Sequence, residues 1–406
     1  MTLGELSARS ASPQDGSDDF RVTVREWCRA EIPPDWRRAQ TGVEDAEFVR
    51  FQRDWFQRLR RAGFAVPHWP KEWGGGLSVA EQVVLYQELA AHDAPRLVLA
   101  FVGIHHAAAT LLAAGTVEQR ERHLPAILDG EIWCQGFSEP EAGSDLAALR
   151  TTARRAGDGY VVNGQKVWAS GARYADWCLL LARTDPNAPK RHGISYFLLD
   201  MRAPGVEVRP IKQATGESHF CEIFLDDVVI PVHQRVGPEN EGWRIAGQTL
   251  GAERGMTMLE LSERLGHAGF RWLLELCARP TADGARPLDD PVVSDRLATL
   301  EIELTGLRML CADFVAAERP GAADASIVKL YYSELLQRIT DFGTEVAGLA
   351  AHTELSKPLS SGWESGAWML DFLGSWEWTI PGGSSEIQRT LIGERGLGLP
   401  REPRQA

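Results

Sequence analysis

The 406-residue sequence has no Gly-x-Gly-x-x-Gly turn and no P-loop. Any dinucleotide it holds is therefore not held by a Rossmann-type glycine turn. His-Glu-x-x-His and Gly-x-Ser-x-Gly are also missing, so zincin and nucleophile-elbow chemistry have no starting point. Cysteine is scarce: Cys28, Cys134, Cys178, Cys221, Cys277 and Cys311 lie far apart, with no Cys-x-x-Cys and no Cys/His zinc spacing. No metal is expected, and the thiols read as buried and reduced. Basic charge is in deficit, 43 Lys and Arg against 56 Asp and Glu. That excludes a general nucleic-acid binder, because phosphate binding needs a basic surface. The first 19 residues lack the apolar core of a secretory signal and read as a polar, flexible arm, with a cytoplasmic location expected. One uncharged run, Leu97 to Val117, is long enough to span a bilayer. It contains His105, His106, Gly103, Thr110 and many alanines, so it reads instead as a buried core helix with no membrane contact, the two histidines satisfied within it. Tyrosine is sparse, 6 against 14 tryptophans. The indoles serve as core or interface area, or stack on a flat ligand, and composition leaves both open.

What is present falls into three regimes, in keeping with the two or three domains suggested at about 150 residues each. The first reads as helical. Phe48, Phe51, Trp55 and Leu59 recur at near-helical spacing among arginines. Two prolines and Gly74-Gly-Gly76 then interrupt it. Ser78 and Glu81 form a capping box for the next helix, and another runs from about Val117 to Leu128. From about residue 132 the pattern has period two. Tyr160-Val-Val162, Asn163-Gly164 and Gln165 to Ser170 predict a hairpin with a type I′ turn. Strands are predicted at Trp177–Arg183, Ile194–Met201, Val206–Ile211 and Phe220–Val229. Helical periodicity returns at Gly242, with long helices predicted over 290–318 and 326–350. The expected fold is α+β and multidomain: an N-terminal helical domain (1–131), a central small β-barrel or sandwich (132–240) and a C-terminal helical bundle (241–406).

Three segments carry candidate chemistry. Cys134 to Asp145 reads Cys-Gln-Gly-Phe-Ser-Glu-Pro-Glu-Ala-Gly-Ser-Asp. It is either a polar turn entering the β region or a surface of N–H groups and hydroxyls suited to a pyrophosphate or a flavin edge. Trp168 and Ser170, two apart on a predicted strand, share a face that suits a flat ring. Thr379 to Arg389 is a glycine-rich turn leading into a helix, whose N-terminus attracts anions.

Taken in order, five segments resemble landmarks of the acyl-CoA dehydrogenase family over nearly the whole chain. They are Gly115 to Pro125, Gly136 to Asp145, Lys166 to Ser170, Phe224 to Pro231 and Ser385 to Arg389. Phe137 stands where an aliphatic residue is usual. The resemblance implies a C-terminal four-helix bundle and FAD between it and the β-domain. Assembly would be as a dimer, homotetramer or hetero-tetramer. It implies that Gln135, Phe137, Ser138, Gly143, Ser144, Trp168, Ala169 and Ser170 contact the cofactor, with Arg279, Ser384, Ser385 and Glu386 completing its site. Ser144, Arg254, Gly382 and Gly383 would contact substrate. The implied reaction converts an acyl-CoA, or an acyl thioester on an acyl carrier protein, to its trans-2-enoyl form. An electron-transfer flavoprotein is the expected acceptor.

The resemblance also locates a base. Many members carry it just before the turn that here begins at Gly382, which has no side chain to supply one. The isovaleryl and long-chain branches place a glutamate just before an arginine on the first long helix of the C-domain, matched here by Glu253-Arg254. Read without the family, Glu253 is a solvated residue on an amphipathic helix; the resemblance makes it the expected base. Two motifs depart from the family. Arg279 is followed by Pro-Thr-Ala-Asp-Gly284 with no Phe, and a Gln-x-x-Gly-Gly element reads Glu345-Val-Ala-Gly-Leu349. A glutamate there would repel a pyrophosphate. Two other readings therefore stand beside the dehydrogenase: a same-fold flavin oxidase or monooxygenase using O2, and a non-catalytic subunit of a hetero-oligomer.

Overall fold

The computed structural model describes residues 15–401 except 253–255, 282, 318–320, 322 and 361. The N-terminal region contains α1 (Asp15–Glu31), α2 (Trp36–Ala39), α3 (Asp45–Arg61), α4 (Val79–Ala91), α5 (Ala108–Ala114) and α6 (Val117–Leu128). In α3 Phe48, Trp55 and Leu59 of the expected stripe are buried together with Phe56, while Phe51 is only half-buried. Ser78 and Glu81 cap α4 reciprocally, with Ser78 N–H to Glu81 Oε2 at 2.7 Å and Glu81 N–H to Ser78 Oγ at 3.3 Å. The uncharged run is not one regular helix. A π-helical turn, Val102–Ala107, leads into α5, and Gly115 ends it. No helix among the described residues is long and apolar enough to cross a membrane.

The β region contains β1 (Trp133–Gly136), β2 (Thr152–Ala156), β3 (Gly159–Lys166), β4 (Trp177–Arg183), β5 (Ile194–Asp200), β6 (Val206–Pro210), β7 (Cys221–Pro231) and β8 (Arg235–Val236). They hydrogen-bond in the order β6-β7-β3-β2-β4-β5-β8, with β1 parallel to β4. Alternate residues of β4 and β5 feed two cores. Leu179, Leu181, Tyr196 and Leu198 pack toward the helices, and Cys178, Leu180, Phe197 and Leu199 pack into the β region's own interior. Strands buried on both faces are apolar throughout, which is why these runs show no alternation.

The predicted Asn163-Gly164 hairpin is wrong. Both residues lie inside the continuous strand β3, at an irregularity in its pairing with β7. Asn163 exchanges two 2.9 Å hydrogen bonds with Asp227. Gly164 is required there because a Cβ would come 2.4 Å from Thr151 Oγ1. The hairpin is β2–β3, and its turn is Gly157-Asp158, with Gly157 at φ +59°. The same polar dipeptide chemistry that makes tight turns also suits a bulge, and cross-strand partners decide between them.

The C-terminal region contains α7 (Gly242–Ala252), α8 (Met256–Arg264), α9 (Arg271–Ala278), α10 (Pro291–Ala316), α11 (Asp324–Ala347), α12 (Trp368–Ser375) and α13 (Ser385–Leu391). A π-helical turn, Leu265–Phe270, joins α8 to α9. All six cysteines are free and buried.

Candidate active site

A cavity of about 600 Å³ opens where the three regions meet. Its apolar floor comes from α3, α4 and the 97–104 segment, including Trp55, Leu59, Leu89 and Phe101. Gln135, Trp168, Ser170 and the loop 216–219 form the β-region wall. Thr257 to Arg264 of α8 and the segments around 357–363 and 377–381 close it from the C-terminal side.

Trp168 is the strained point. It has left β3 and sits at φ +62°, a left-handed conformation for a bulky residue, with its side chain 57% exposed. Such a conformation costs on the order of 1–3 kcal/mol and persists only where the surroundings over-determine it. Here they do. Val167 N–H is bonded to Ser138 O at 2.9 Å, Ala169 and Cys221 exchange backbone bonds at 3.0 and 3.2 Å, and Gly171 N–H is bonded to His219 O at 2.9 Å. The pinned neighbours push the indole out of the β core and into the cavity wall, beside Ser170.

The segment after β1 is anchored by a buried ion pair. Lys166, fully buried, donates to Glu139 Oε1 at 2.8 Å and to Phe137 O at 3.1 Å. Glu139 also accepts the Arg150 and Thr151 N–H groups at 2.6 and 2.9 Å. Burial pushes the Glu139 carboxyl up, but Lys166 and these donors outweigh it and hold it below its usual range. Burial lowers Lys166 against the pull of Glu139. Gly136 is needed because a Cβ would come 2.9 Å from Cys178 Sγ.

The expected site residues divide. Gln135, Trp168 and Ser170 line the cavity together. Ser138 gives its carbonyl to Val167, and Gly143 and Ser144 are exposed in the turn that follows. The side chains of Phe137 and Ala169 are buried, Phe137 edge-on to Tyr196 at 5.7 Å, leaving only their backbone to meet a ligand. Gly382 and Gly383 have φ +65° and +97°, and their carbonyls accept from Gln388 Nε2 at 2.7 and 3.2 Å. Lys329 Nζ also donates to Gly383 O at 2.8 Å. Ser384 caps α13 through Ile387 N–H, Ser385 Oγ is buried with no hydrogen bond, and Glu386 is held low by backbone N–H bonding at the helix start. Arg279 ends α9 and is not part of the cavity wall. Glu345 is paired with Arg296 at 2.6 Å, so its charge is matched within the chain. Glu253 and Arg254 lie outside the described residues. Of the helices flanking them, α7 ends at Ala252 and α8 begins at Met256, and Thr257 and Met258 of α8 line the cavity.

Sequence reasoning missed two features of this cavity. Glu377 lines it, with Oε2 buried and without a hydrogen bond. Burial pushes its carboxyl up to about 8, against the pull of Lys357 and Arg96. A lone acid between Trp376 and Trp378 was the available signal. His105 is the other feature. Instead of being satisfied within its helix it faces the cavity from the π-helical turn, stacked on His68 at 4.8 Å and 6°. Burial holds both imidazoles below their ordinary range, so both are neutral at pH 7. Among the described residues no group of His, Cys, Asp or Glu is arranged to hold a metal.

An out-turned indole on strained backbone, beside an amide and a hydroxyl, fits a flat heteroaromatic group such as isoalloxazine. Comparison with known proteins agrees. The family models for the acyl-CoA dehydrogenase N-terminal, middle and C-terminal domains match residues 14–131, 134–228 and 240–397. Acyl-CoA dehydrogenase IpdE1 of Mycolicibacterium smegmatis is 40% identical over 399 residues, covering 95% of this chain and 98% of that one. Among solved structures, the ChsE4-ChsE5 complex from Mycobacterium tuberculosis superposes with a TM-score of 0.81 at 31% identity, over 96% of this chain and 99% of that one. The Tcur3481-Tcur3483 steroid ACAD gives 0.80 at 30%, over 96% and 99%. The helical, β and helical regions in that order, with the cavity at their junction, are those of the family to which the chain belongs, the FAD-dependent acyl-CoA dehydrogenases.

Proposed function

We propose that this enzyme dehydrogenates a bulky, ring-bearing acyl-CoA between Cα and Cβ, with Glu253 as the base that takes the α-proton. The observation that carries the reading is the cavity. Beside the Gln135, Trp168 and Ser170 wall proposed for the flavin, it has an apolar floor of Trp55, Leu59 and Phe101 that suits a bulky hydrophobic acyl group. Similarity to a steroid ACAD supports the same substrate class. Gln135, Ser138, Gly143, Ser144, Trp168 and Ser170 from the β region, with Ser384, Ser385 and Glu386 from the C-terminal turn, are the proposed FAD contacts. FAD, when bound, supplies the acceptor for the β-hydride. The N–H groups of the Gly382-Gly383 turn are proposed to polarise the thioester carbonyl, which acidifies Cα. Arg254 orients the thioester. An electron-transfer flavoprotein is the proposed acceptor.

Assembly with further chains of the same family belongs to this proposal. Ile302 and Met309 on α10, Leu349 after α11, and Trp376 and Ile380 are 54–87% exposed. So much apolar area is characteristic of a covered surface. The similar ChsE4-ChsE5 and Tcur3481-Tcur3483 structures each pair two different proteins, which favours a related partner chain here. Light scattering of the purified chain, alone and with a co-expressed paralogue, tests it.

The decisive experiment is anaerobic titration of the flavoprotein with straight, branched and ring-bearing acyl-CoAs. Bleaching near 450 nm is expected with ring-bearing substrates and lost in Glu253→Gln. Near wild-type bleaching in that variant refutes the base, and rapid O2 consumption with peroxide release refutes the dehydrogenase reading.

A further inference from the structure

We propose that Glu377 is a specificity-determining residue whose carboxyl group hydrogen-bonds a neutral oxygen of the acyl group, a ring carbonyl or hydroxyl. This rests on the acyl-CoA reading above and deepens it.

Glu377 belongs to the short 3-10 turn Trp376–Thr379 that leads into the Pro381–Gly383 turn. Trp376 points outward, 54% exposed, while Glu377, Trp378 and Pro381 line the cavity. The Glu377 Oε2 atom is buried and bonded to nothing among the described residues. Leaving a buried polar atom unpaired costs about 1–3 kcal/mol, a cost that a ligand oxygen in the cavity would remove.

The nearby charges are committed elsewhere. Lys357 Nζ donates to Gly362 O at 2.8 Å, lies 3.9 Å from the centroid of the Trp363 ring and 3.9 Å from Glu217 Oε2. The Arg96 guanidinium is 3.7 Å from Glu364 and 5.6 Å from the Trp378 centroid, and Glu364 also accepts from Tyr332 at 3.0 Å. Burial pushes His219, also in the wall, down to about 4, so it is neutral. Two cations are thus balanced by Glu217 and Glu364, and burial keeps Glu377 protonated at neutral pH. A ligand carboxylate would unbalance the set, whereas a carbonyl or hydroxyl oxygen accepts the Glu377 O–H without adding charge.

A buried carboxyl of raised pKa is also what a general base requires. Glutamine separates the roles, since its amide can still donate a hydrogen bond but cannot take a proton. The test uses the FAD-loaded full chain, as wild type, Glu377→Gln and Glu377→Leu. The probes are 3-(4-oxocyclohexyl)propanoyl-CoA and 3-cyclohexylpropanoyl-CoA. Anaerobic bleaching reports flavin reduction, turnover with an added ferrocenium acceptor gives kcat and KM, and calorimetry gives the affinity of the matching non-reactive 3-thia analogues. Wild type is expected to favour the keto substrate. The Leu variant is expected to lose about 10–100-fold in kcat/KM for it, mostly in KM, with no loss on the cyclohexyl substrate. The Gln variant is expected to stay within about threefold of wild type on both. Should the Leu variant not fold, Glu377→Met carries the same comparison. An unchanged keto-to-cyclohexyl ratio overturns the proposal, as does loss of bleaching on both substrates in the Gln variant, which would make Glu377 the base. If wild type bleaches with neither substrate, the ring-bearing acyl-CoA reading fails, and the analogue affinities still decide whether Glu377 reads the ring oxygen.

Discussion

Replacing Lys166 with Met tests whether the buried pair anchors the segment beneath the cavity wall. Lys166 is fully buried and Glu139 nearly so, and they meet at 2.8 Å. Removing one partner of a buried pair typically costs about 3–5 kcal/mol, because the other charge is left without compensation. Glu139 keeps two backbone donors, Arg150 N–H and Thr151 N–H, which places the expected cost at the lower end, about 3 kcal/mol. That corresponds to a fall of about 150-fold in the folding equilibrium. For a chain of this size, at about 2 °C per kcal/mol, it is a drop of roughly 6 °C in the melting midpoint. Differential scanning fluorimetry of the FAD-loaded protein measures it. The sign with pH is fixed as well. Wild-type Glu139 is held below its usual range, so its stabilisation is lost as pH falls and protonates it; removing Lys166 raises the folded-state pKa, and the variant's deficit therefore shrinks as pH falls. Adding Glu139→Gln removes the stranded charge and is expected to restore at least half the loss. A single variant within 1 °C of wild type, or a double variant less stable than the single, would refute the anchoring role.

Three further outcomes are expected. The folded-state pKa of Glu377, about 8, lies above its ordinary 4.5, so the unfolded chain releases this proton first and stability declines with pH between about 4.5 and 8. Urea midpoints at pH 5, 6.5 and 8 are expected to fall more steeply for wild type than for Glu377→Gln, and equal slopes contradict the assignment. Thr110 Oγ1 meets Thr249 Oγ1 at 2.7 Å and donates to His106 O at 2.8 Å, joining the N-terminal and C-terminal helices. Thr110→Val is expected to cost about 1–2 kcal/mol in denaturant unfolding, and a neutral result would show the link to be dispensable. Trp168→Leu removes the out-turned indole while relieving no core packing. It is expected to weaken FAD binding to the apoprotein about tenfold by calorimetry, with the melting temperature of the apoprotein unchanged, and undiminished affinity would remove Trp168 from the cofactor site.

Much of the fold was legible in local pattern. Phe48, Trp55 and Leu59 of the α3 stripe are buried as their period predicts, the Ser78–Glu81 box caps α4, and the bounds of β4 match the apolar run 177–183. These features depend on residues a few positions apart, so sequence fixes them. The Asn163-Gly164 hairpin failed because its outcome depends on Asp227 and Thr151, 64 and 13 positions away, which no window contains. The continuous helix expected over Leu97–Val117 gave way to a π-helical turn that aims His105 at the cavity.

The candidate site divides in the same way. Segment order identified the family, and with it Gln135, Trp168 and Ser170 at one cavity. The sequence also marked Gly382 as unable to carry a base, a fact of composition at one position. Only the tertiary structure turned Trp168 outward through φ +62°, paired Glu345 with Arg296, and placed Glu377 where burial keeps it protonated. A residue's type is written in the chain, but its dielectric surroundings and hydrogen-bond partners come from segments hundreds of residues apart. The sequence by itself therefore determined what chemistry this protein belongs to, and the packing of three regions against one another decided which side chains face the substrate and in what charge state.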